Sequence, residues 1–318
     1  MVNLTEGEWI IMGETKLQSY RSLGQQIYDI RKTREARRYY VFILRSVFLR
    51  GKLDRLQRHF TATPLLTEVQ KLYPFVYEQP TRAFFYNKST FEERAKIVTQ
   101  HMDFLAERLR PEVLLDIYRE KDIPLWEGGE VDGKRFWASL FYEPGQRKEG
   151  ILSVMLRLDK EPLYQIIFWI AKDKTGDWSM WIGAMQGPNM ENAKEVIKKI
   201  TKRCHSYRTK NLILYIAQAV SRGLGLKRIY AVTNYGYYAN NHVRVDRKLK
   251  TSFSDFWTEA GGRPTEDKRF DVLPLTEPRK SMEEVPTRKR AVYRRRFELL
   301  DEIDQRVGDA MQAIMNEC

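Results

Sequence analysis

Residues 136–186 read FWASLFYEPGQRKEGILSVMLRLDKEPLYQIIFWIAKDKTGDWSMWIGAMQ, and this stretch decides the fold class. Four short apolar and aromatic runs, Phe136–Tyr142, Ile151–Leu158, Leu163–Ala171 and Trp178–Gln186, are divided by breaks at Pro144-Gly145, Asp159–Pro162 and Lys172–Asp177. β-Branched and aromatic runs punctuated by Gly, Pro and Asp at this spacing predict an antiparallel meander.

Downstream the period lengthens. Helical spacing covers Asn189–Arg203 and Thr209–Arg222, and Gly223 and Gly225 stop the second helix before a short strand at Lys227–Asn234. A helix at Ser252–Ala260, stopped by Gly261-Gly262, a strand at Arg269–Leu275 and a long basic helix from Thr287 to about Asp309 complete the order. Upstream, Lys16–Arg31, Arg34–His59, Leu65–Leu72, Thr90–Leu109 and Pro111–Lys121 place apolar residues three and four apart. Ser89-Thr90 before Glu92 and Glu93, and Pro111 before Glu112, are helix-start signals. The expected architecture is α+β: a helical N-terminal region (1–130) closed by a Gly128-Gly129 linker, a mixed, mainly antiparallel sheet with helices (131–280), and a basic C-terminal helix (281–318) packed on the body.

Composition narrows the function. At 318 residues and 42% hydrophobic the chain can bury a substantial core, and no apolar run approaches the roughly 20 residues of a bilayer span. Residues 1–14 carry Glu6, Glu8 and Glu14 and lack the pattern of a secretory signal, so a cytoplasmic protein, peripheral on the inner membrane if it meets one, is expected. Two cysteines, Cys204 and Cys318, and four histidines offer no disulfide framework and no metal-ligand spacing. The net charge of +13 is local: residues 31–60 hold ten basic and two acidic side chains, and residues 280–296 hold seven and two, which accounts for the whole excess.

The run Trp181-Ile182-Gly183-Ala184-Met185-Gln186-Gly187, followed by Thr201-Lys202 and by His205-Ser206-Tyr207-Arg208-Thr209-Lys210-Asn211-Leu212, resembles the VirK/YbjX family of bacterial proteins. The likeness continues through Phe256-Trp257-Thr258-Glu259-Ala260-Gly261-Gly262 and Pro286–Ala291 with Tyr293–Arg296. Ser206 and Thr209 stand where that family tends to show glycine and proline. The resemblance implies a link to virulence, to cell-envelope remodelling and to resistance against cationic antimicrobial peptides. A second resemblance is to the GNAT acetyltransferase-like fold, in which a meander strand binds the acyl-carrier arm, a helix N-terminus takes the pyrophosphate and a following strand diverges to form the acceptor cleft. Trp178–Gln186, Thr209–Arg222 and Lys227–Asn234 would fill those places. The intervening helix Asn189–Arg203, and Arg208 and Lys210 in place of a glycine-rich loop, depart from that pattern.

Candidate site residues follow. Arg208, Thr209, Lys210 and Asn211 open an apolar helix, where free N–H groups and the helix dipole favour an anion; they are the expected cofactor site for acyl-CoA or acyl-carrier protein, with an ordinary capped loop as the alternative. No tightly held cofactor is expected. In Tyr235–His242, Tyr237 or His242 would protonate a leaving thiolate, unless these aromatics pack the loop on the sheet. Asp177, Glu149, Asp246 and Asp255 are the candidate bases; Asp255 is preferred, though an acid there also suits the first turn of a helix. Cys204 and His205 adjoin but point apart on a helix. No serine-nucleophile elbow, P-loop or dinucleotide motif is present.

The basic segments make a second class of function readable. On one helix at about 100° per residue, Arg34, Arg37, Arg38, Arg45, Lys52 and Arg55 share an arc of about 100°. With Arg288, Lys289, Arg290, Arg294, Arg295 and Arg296 they are expected to dock on an anionic membrane surface or an envelope lipid precursor such as that of lipopolysaccharide. RNA or another nucleic acid is the alternative anionic partner, disfavoured by the acidic run Asp301–Asp309 and by the absence of a recognised binding motif.

Overall fold

The turn residues of 136–186 act as their chemistry dictates. In the computed structural model, which describes residues 17–241 and 252–316, Asp159 and Gly176 adopt positive φ at the tips of two hairpins. Strands β1 (Ile123–Val131), β2 (Lys134–Phe141), β3 (Leu152–Leu158), β4 (Glu161–Lys172) and β5 (Trp178–Gln186) form an antiparallel meander. Helices α7 (Ala193–Arg203) and α8 (Thr209–Gly223) then return the chain to β6 (Arg228–Val232), which lies parallel to β5. Helix α9 (Phe253–Glu259) precedes β7 (Arg263–Pro264) and β8 (Phe270–Leu273), and the sheet order is β1-β2-β3-β4-β5-β6-β8-β7. The final helix, α10 (Arg290–Ile314), buries Leu300, Ile303, Val307 and Met311 at helical spacing.

Helices α5 (Phe91–Arg108), α8, α9 and α10 pack on this α+β sheet. On one face Ser221 of α8 reaches the sulfur of Met180 at 3.3 Å, and α8 is clamped to α10 by Tyr215 and Arg222, which both bond Asp304. The alternate residue Trp181 points the other way and stacks on Tyr230 with ring centroids 4.2 Å apart. The N-terminal region is built of helices α1 (Tyr20–Ile27), α2 (Thr33–Phe48), α3 (Arg50–Phe60), α4 (Pro64–Leu72), α5 and α6 (Pro111–Tyr118), of which α5 packs on β4. Helix α5 begins with a reciprocal Thr90–Glu93 capping box and docks on β4, where the buried His101 accepts the Ile170 N–H at 3.0 Å.

A buried carboxylate ties the helical region to the loop between β2 and β3. Glu78, 0% exposed, accepts from Tyr28 at 2.7 Å, Arg147 at 2.7 Å and Arg82 at 3.1 Å. Burial works against its charge, but the Arg147 guanidinium and these donors hold its carboxyl below the usual range. Gln79 bonds the Arg147 carbonyl and the Phe85 N–H bonds the Lys148 carbonyl, both at 2.8 Å, so the segment 144–150 is fixed from below.

Three expectations need correction. Gly128 and Gly129 are no linker: they lie inside β1 at a register shift, and a side chain at Gly128 would meet the rings of Trp126 and Phe136 at about 2.5 Å. The helix expected over Arg34–His59 breaks at Leu49 between α2 and α3, so Arg34, Arg37, Arg38 and Arg45 share no helix with Lys52 and Arg55. The last helix runs on beyond Asp309 to Ile314, whose carbonyl accepts the Arg110 N–H.

Candidate functional site

The parallel pair β5/β6 is hydrogen-bonded from Ser179↔Arg228 to Ile182↔Ala231 and no further. Across β4, Ile167 faces Ala184 while Phe168 faces Ile182, so Gly183 is the extra residue of a bulge where the two strands part. The position demands glycine, because a Cβ there would fall 1.8 Å from the Glu149 carbonyl oxygen. That close approach lets the segment 144–150 cross the end of β5.

The crossing buries the Glu149 side chain at the divergence. Its Oε1 accepts from the Tyr237 hydroxyl at 2.5 Å and its Oε2 from Gln186 at 2.8 Å, while Gln186 accepts in turn from Gln146 at 2.9 Å. Burial pushes the Glu149 carboxyl up, against the opposing hydrogen bonds from Tyr237 and Gln186. Burial first, and the carboxylate beside it second, push the Tyr237 phenol up as well. The loop after β6 is held rigidly: Gly236 packs on the Arg269 carbonyl and gives its own carbonyl to Asn87, and the Asn234 side chain accepts from Phe253 N–H at the start of α9. A buried acid, a phenol and a carboxamide thus form one hydrogen-bonded chain where β5 and β6 separate.

The start of α8 is the second part of the site. Arg208 is its N-cap residue and makes no capping bond; Thr209 is 1% exposed and its hydroxyl has no partner, nor has the Asn211 side-chain oxygen. Arg208 and Lys210 both reach Glu259 at the end of α9, at 2.9 and 3.3 Å, and Lys210 also lies 4.5 Å from the centre of the Phe256 ring. Two cations and an uncapped helix start therefore converge on Glu259, the one carboxylate that pairs with them among the described residues.

The remaining candidates are dispersed. Asp255 sits exposed in the first turn of α9 with its amide on the Ser252 hydroxyl, and Asp177 pairs with Arg228 at 3.0 Å. His242 and Asp246 lie outside the described residues. Cys204 is buried, which pushes its thiol up to about 12, so no reactive thiolate stands beside His205. Ser206, where the resembled family tends to glycine, does adopt the left-handed conformation that glycine favours, with φ 62°. Among the described residues no group of three or more His, Cys, Asp or Glu is placed to hold a metal ion.

The basic patches divide into committed and free cations. Arg38 pairs with Glu35, Arg45 bonds the Thr81 carbonyl and Lys52 pairs with Glu92, whereas Arg34, Arg37 and Arg55 have no ion pair among the described residues. In the C-terminal patch Arg290 bonds the Val285 carbonyl and Arg296 the carbonyls of His205 and Ser206; Arg288, Lys289, Arg294 and Arg295 face solvent. No helix among the described residues is long and apolar enough to cross a membrane.

Comparison with known proteins places the chain. An uncharacterized protein of Haemophilus influenzae is 28% identical over 287 residues, 88% of this chain and 91% of its own length. The uncharacterized protein YbjX of Escherichia coli is 30% identical over 180 residues, 56% of this chain and 54% of its own. A Mannheimia haemolytica protein named membrane protein LapB is 24% identical over 194 residues, 59% of this chain and 80% of its own. Residues 31–309 match the model of a family described as a protein of unknown function, and the chain therefore belongs to that family, DUF535.

Proposed function

We propose that the protein is an envelope-associated acyltransferase that takes an acyl group from acyl-CoA or acyl-carrier protein and passes it to an envelope component. The observation that carries this reading is the Tyr237–Glu149 pair at the point where β5 and β6 part. Part of the strand order supports it: a meander followed by a parallel pair, as in the GNAT-like resemblance, although here two helices, α7 and α8, join that pair. An envelope role fits the resemblance to the VirK/YbjX family, with its links to virulence and antimicrobial peptide resistance, and the name of the Mannheimia relative.

In this reading the donor's phosphates lie at the start of α8, on Arg208, Lys210 and the free N–H groups of Thr209 and Lys210, displacing Glu259. The thioester lies along β5 beyond Ile182. An acceptor amine or hydroxyl attacks the thioester carbonyl; the new N–C or O–C bond forms, the C–S bond breaks, and Tyr237 gives its proton to the departing sulfur. Glu149, whose carboxylate accepts from Tyr237, takes the proton lost by the acceptor and passes it across their hydrogen bond to the tyrosinate, so the pair ends as it began. Donor binding raises the melting temperature of the folded protein. Incubation of labelled acyl donors with isolated envelope should then give labelled product that Tyr237→Phe abolishes. A panel of acyl-CoA and acyl-carrier donors that leaves the melting temperature unmoved and labels nothing would remove the proposal.

A further inference from the structure

Helix α2 turns its apolar side outward. Tyr40 is 69% exposed, Leu44 60%, Val47 64%, Phe48 81% and Val41 38%, and these are five of the eight large hydrophobic residues that stand exposed among the described residues. Their spacing puts all five within an arc of about 120° on one helix. The opposite side is committed: Phe42 and Ser46 are buried, and Tyr39 packs against Gly24 of α1, so the helix cannot roll to hide the exposed stripe without unburying Phe42. Scattered single exposures are ordinary, but a contiguous helical stripe of this size marks a surface that something covers.

The charges around the stripe select the occupant. Arg37 lies on the same arc one turn before Tyr40, and Arg34 a turn earlier at its edge; both are exposed and have no ion pair among the described residues. We propose that this face of α2 lies in the interface of an anionic lipid bilayer, with Leu44, Val47 and Phe48 among the acyl chains and Arg34 and Arg37 on headgroup phosphates. A nucleic acid would satisfy the arginines and leave the apolar stripe in water. A second copy docked face to face would bring Arg34 and Arg37 against their own equivalents or bury them unpaired. An anionic membrane satisfies both components at once, as amphipathic surface helices do. The proposal is independent of acyl transfer, since α2 contributes no residue to the Glu149–Tyr237 site.

The test is flotation of the full chain with vesicles of phosphatidylcholine alone or mixed with phosphatidylglycerol, at low and high salt. The wild-type chain is expected to float with the mixed vesicles and not with phosphatidylcholine alone. Leu44→Glu with Phe48→Glu, at sites already exposed, should keep the melting temperature and lose flotation. Arg34→Ala with Arg37→Ala should weaken it by roughly tenfold and reduce its salt dependence. Three outcomes would overturn the proposal: no flotation with the anionic vesicles; flotation unchanged by the Leu44/Phe48 pair, which would place binding elsewhere, such as the C-terminal patch; or a wild-type dimer in sedimentation that the same pair splits, which would make the face an interface between copies. Flotation that depends on both pairs at an unchanged oligomeric state upholds it.

Discussion

The Tyr237 hydroxyl donates to Oε1 of Glu149 at 2.5 Å, joining residues 88 apart in sequence at the end where β6 parts from β5. Because burial holds the Glu149 carboxyl above its usual 4.5, the folded state binds its proton more tightly than the unfolded chain does. The sign follows: this group favours folding at low pH, and that contribution is lost as pH rises from about 4.5 through the raised folded value. Glu149→Gln should flatten stability in that window. Tyr237→Phe, which removes a donor from the carboxylate, should extend the window to higher pH. Urea titrations from pH 4 to 8 check both, and parallel curves for the three proteins would contradict the assignment.

Gly183 is held to glycine by the Glu149 carbonyl rather than by its own backbone angles. Gly183→Ala should cost about 3 kcal/mol or more, because the clash is with main chain and no rotamer relieves it. The denaturation midpoint measures this, and a midpoint equal to wild type would show that 144–150 does not cross β5 as described.

His101 is expected to dominate the acid limb of stability. Its Nδ1 accepts the Ile170 N–H at 3.0 Å, its Nε2 meets the Tyr118 hydroxyl at 3.2 Å, and burial pushes its ionisation down to about 3. The unfolded chain protonates this ring near pH 6.5 and the folded protein does not, so its contribution is complete above 6.5 and lost as pH falls toward 3. His101→Ala should orphan the Ile170 N–H, cost about 2–4 kcal/mol at neutral pH and remove part of the acid slope. A variant with wild-type slope would refute the neutral buried ring.

Glu259 competes with any anion at the start of α8, since Arg208 and Lys210 both bind it. Glu259→Gln should raise affinity for coenzyme A by roughly two- to fivefold while leaving stability nearly unchanged, as surface ion pairs contribute little. Equal affinity by calorimetry would mean that phosphates do not use these two cations.

The sequence made the local parts of this account readable and left the long-range ones hidden. Phe136–Tyr142, Ile151–Leu158, Leu163–Ala171 and Trp178–Gln186 coincide with β2 to β5 within a residue or two, because turn residues and β-branched runs act over short distances. The sequence hides β1, since Pro124, Gly128 and Gly129 read as a break, whereas the strand absorbs them at two register shifts. Tyr237 stands out as a candidate from its place after β6. Glu149 is one of four candidate carboxylates, behind the preferred Asp255, since its place beside Tyr237 arises only when 144–150 folds back over the Gly183 bulge. The adjacent Gly150, which packs on the Phe168 backbone, was the one local hint of such a crossing. On α2 the sequence leaves open whether Tyr40, Val41, Leu44, Val47 and Phe48 belong to a core helix or to one lying on a membrane surface; the structure exposes all five, while Tyr39 packs on α1.

The central claim, that an acyl donor binds with its phosphates on α8 and its thioester at the divergence, is tested most directly by calorimetry with acyl-CoA. Wild type, Arg208→Ala with Lys210→Ala, and Tyr237→Phe are compared. The wild type is expected to bind saturably, with affinity weakened by roughly tenfold or more in the double variant and unchanged in Tyr237→Phe, which acts in transfer and not in phosphate recognition. Binding of equal strength in the wild type and the double variant, or no binding of any acyl-CoA or acyl-carrier donor to the wild type, would contradict the claim.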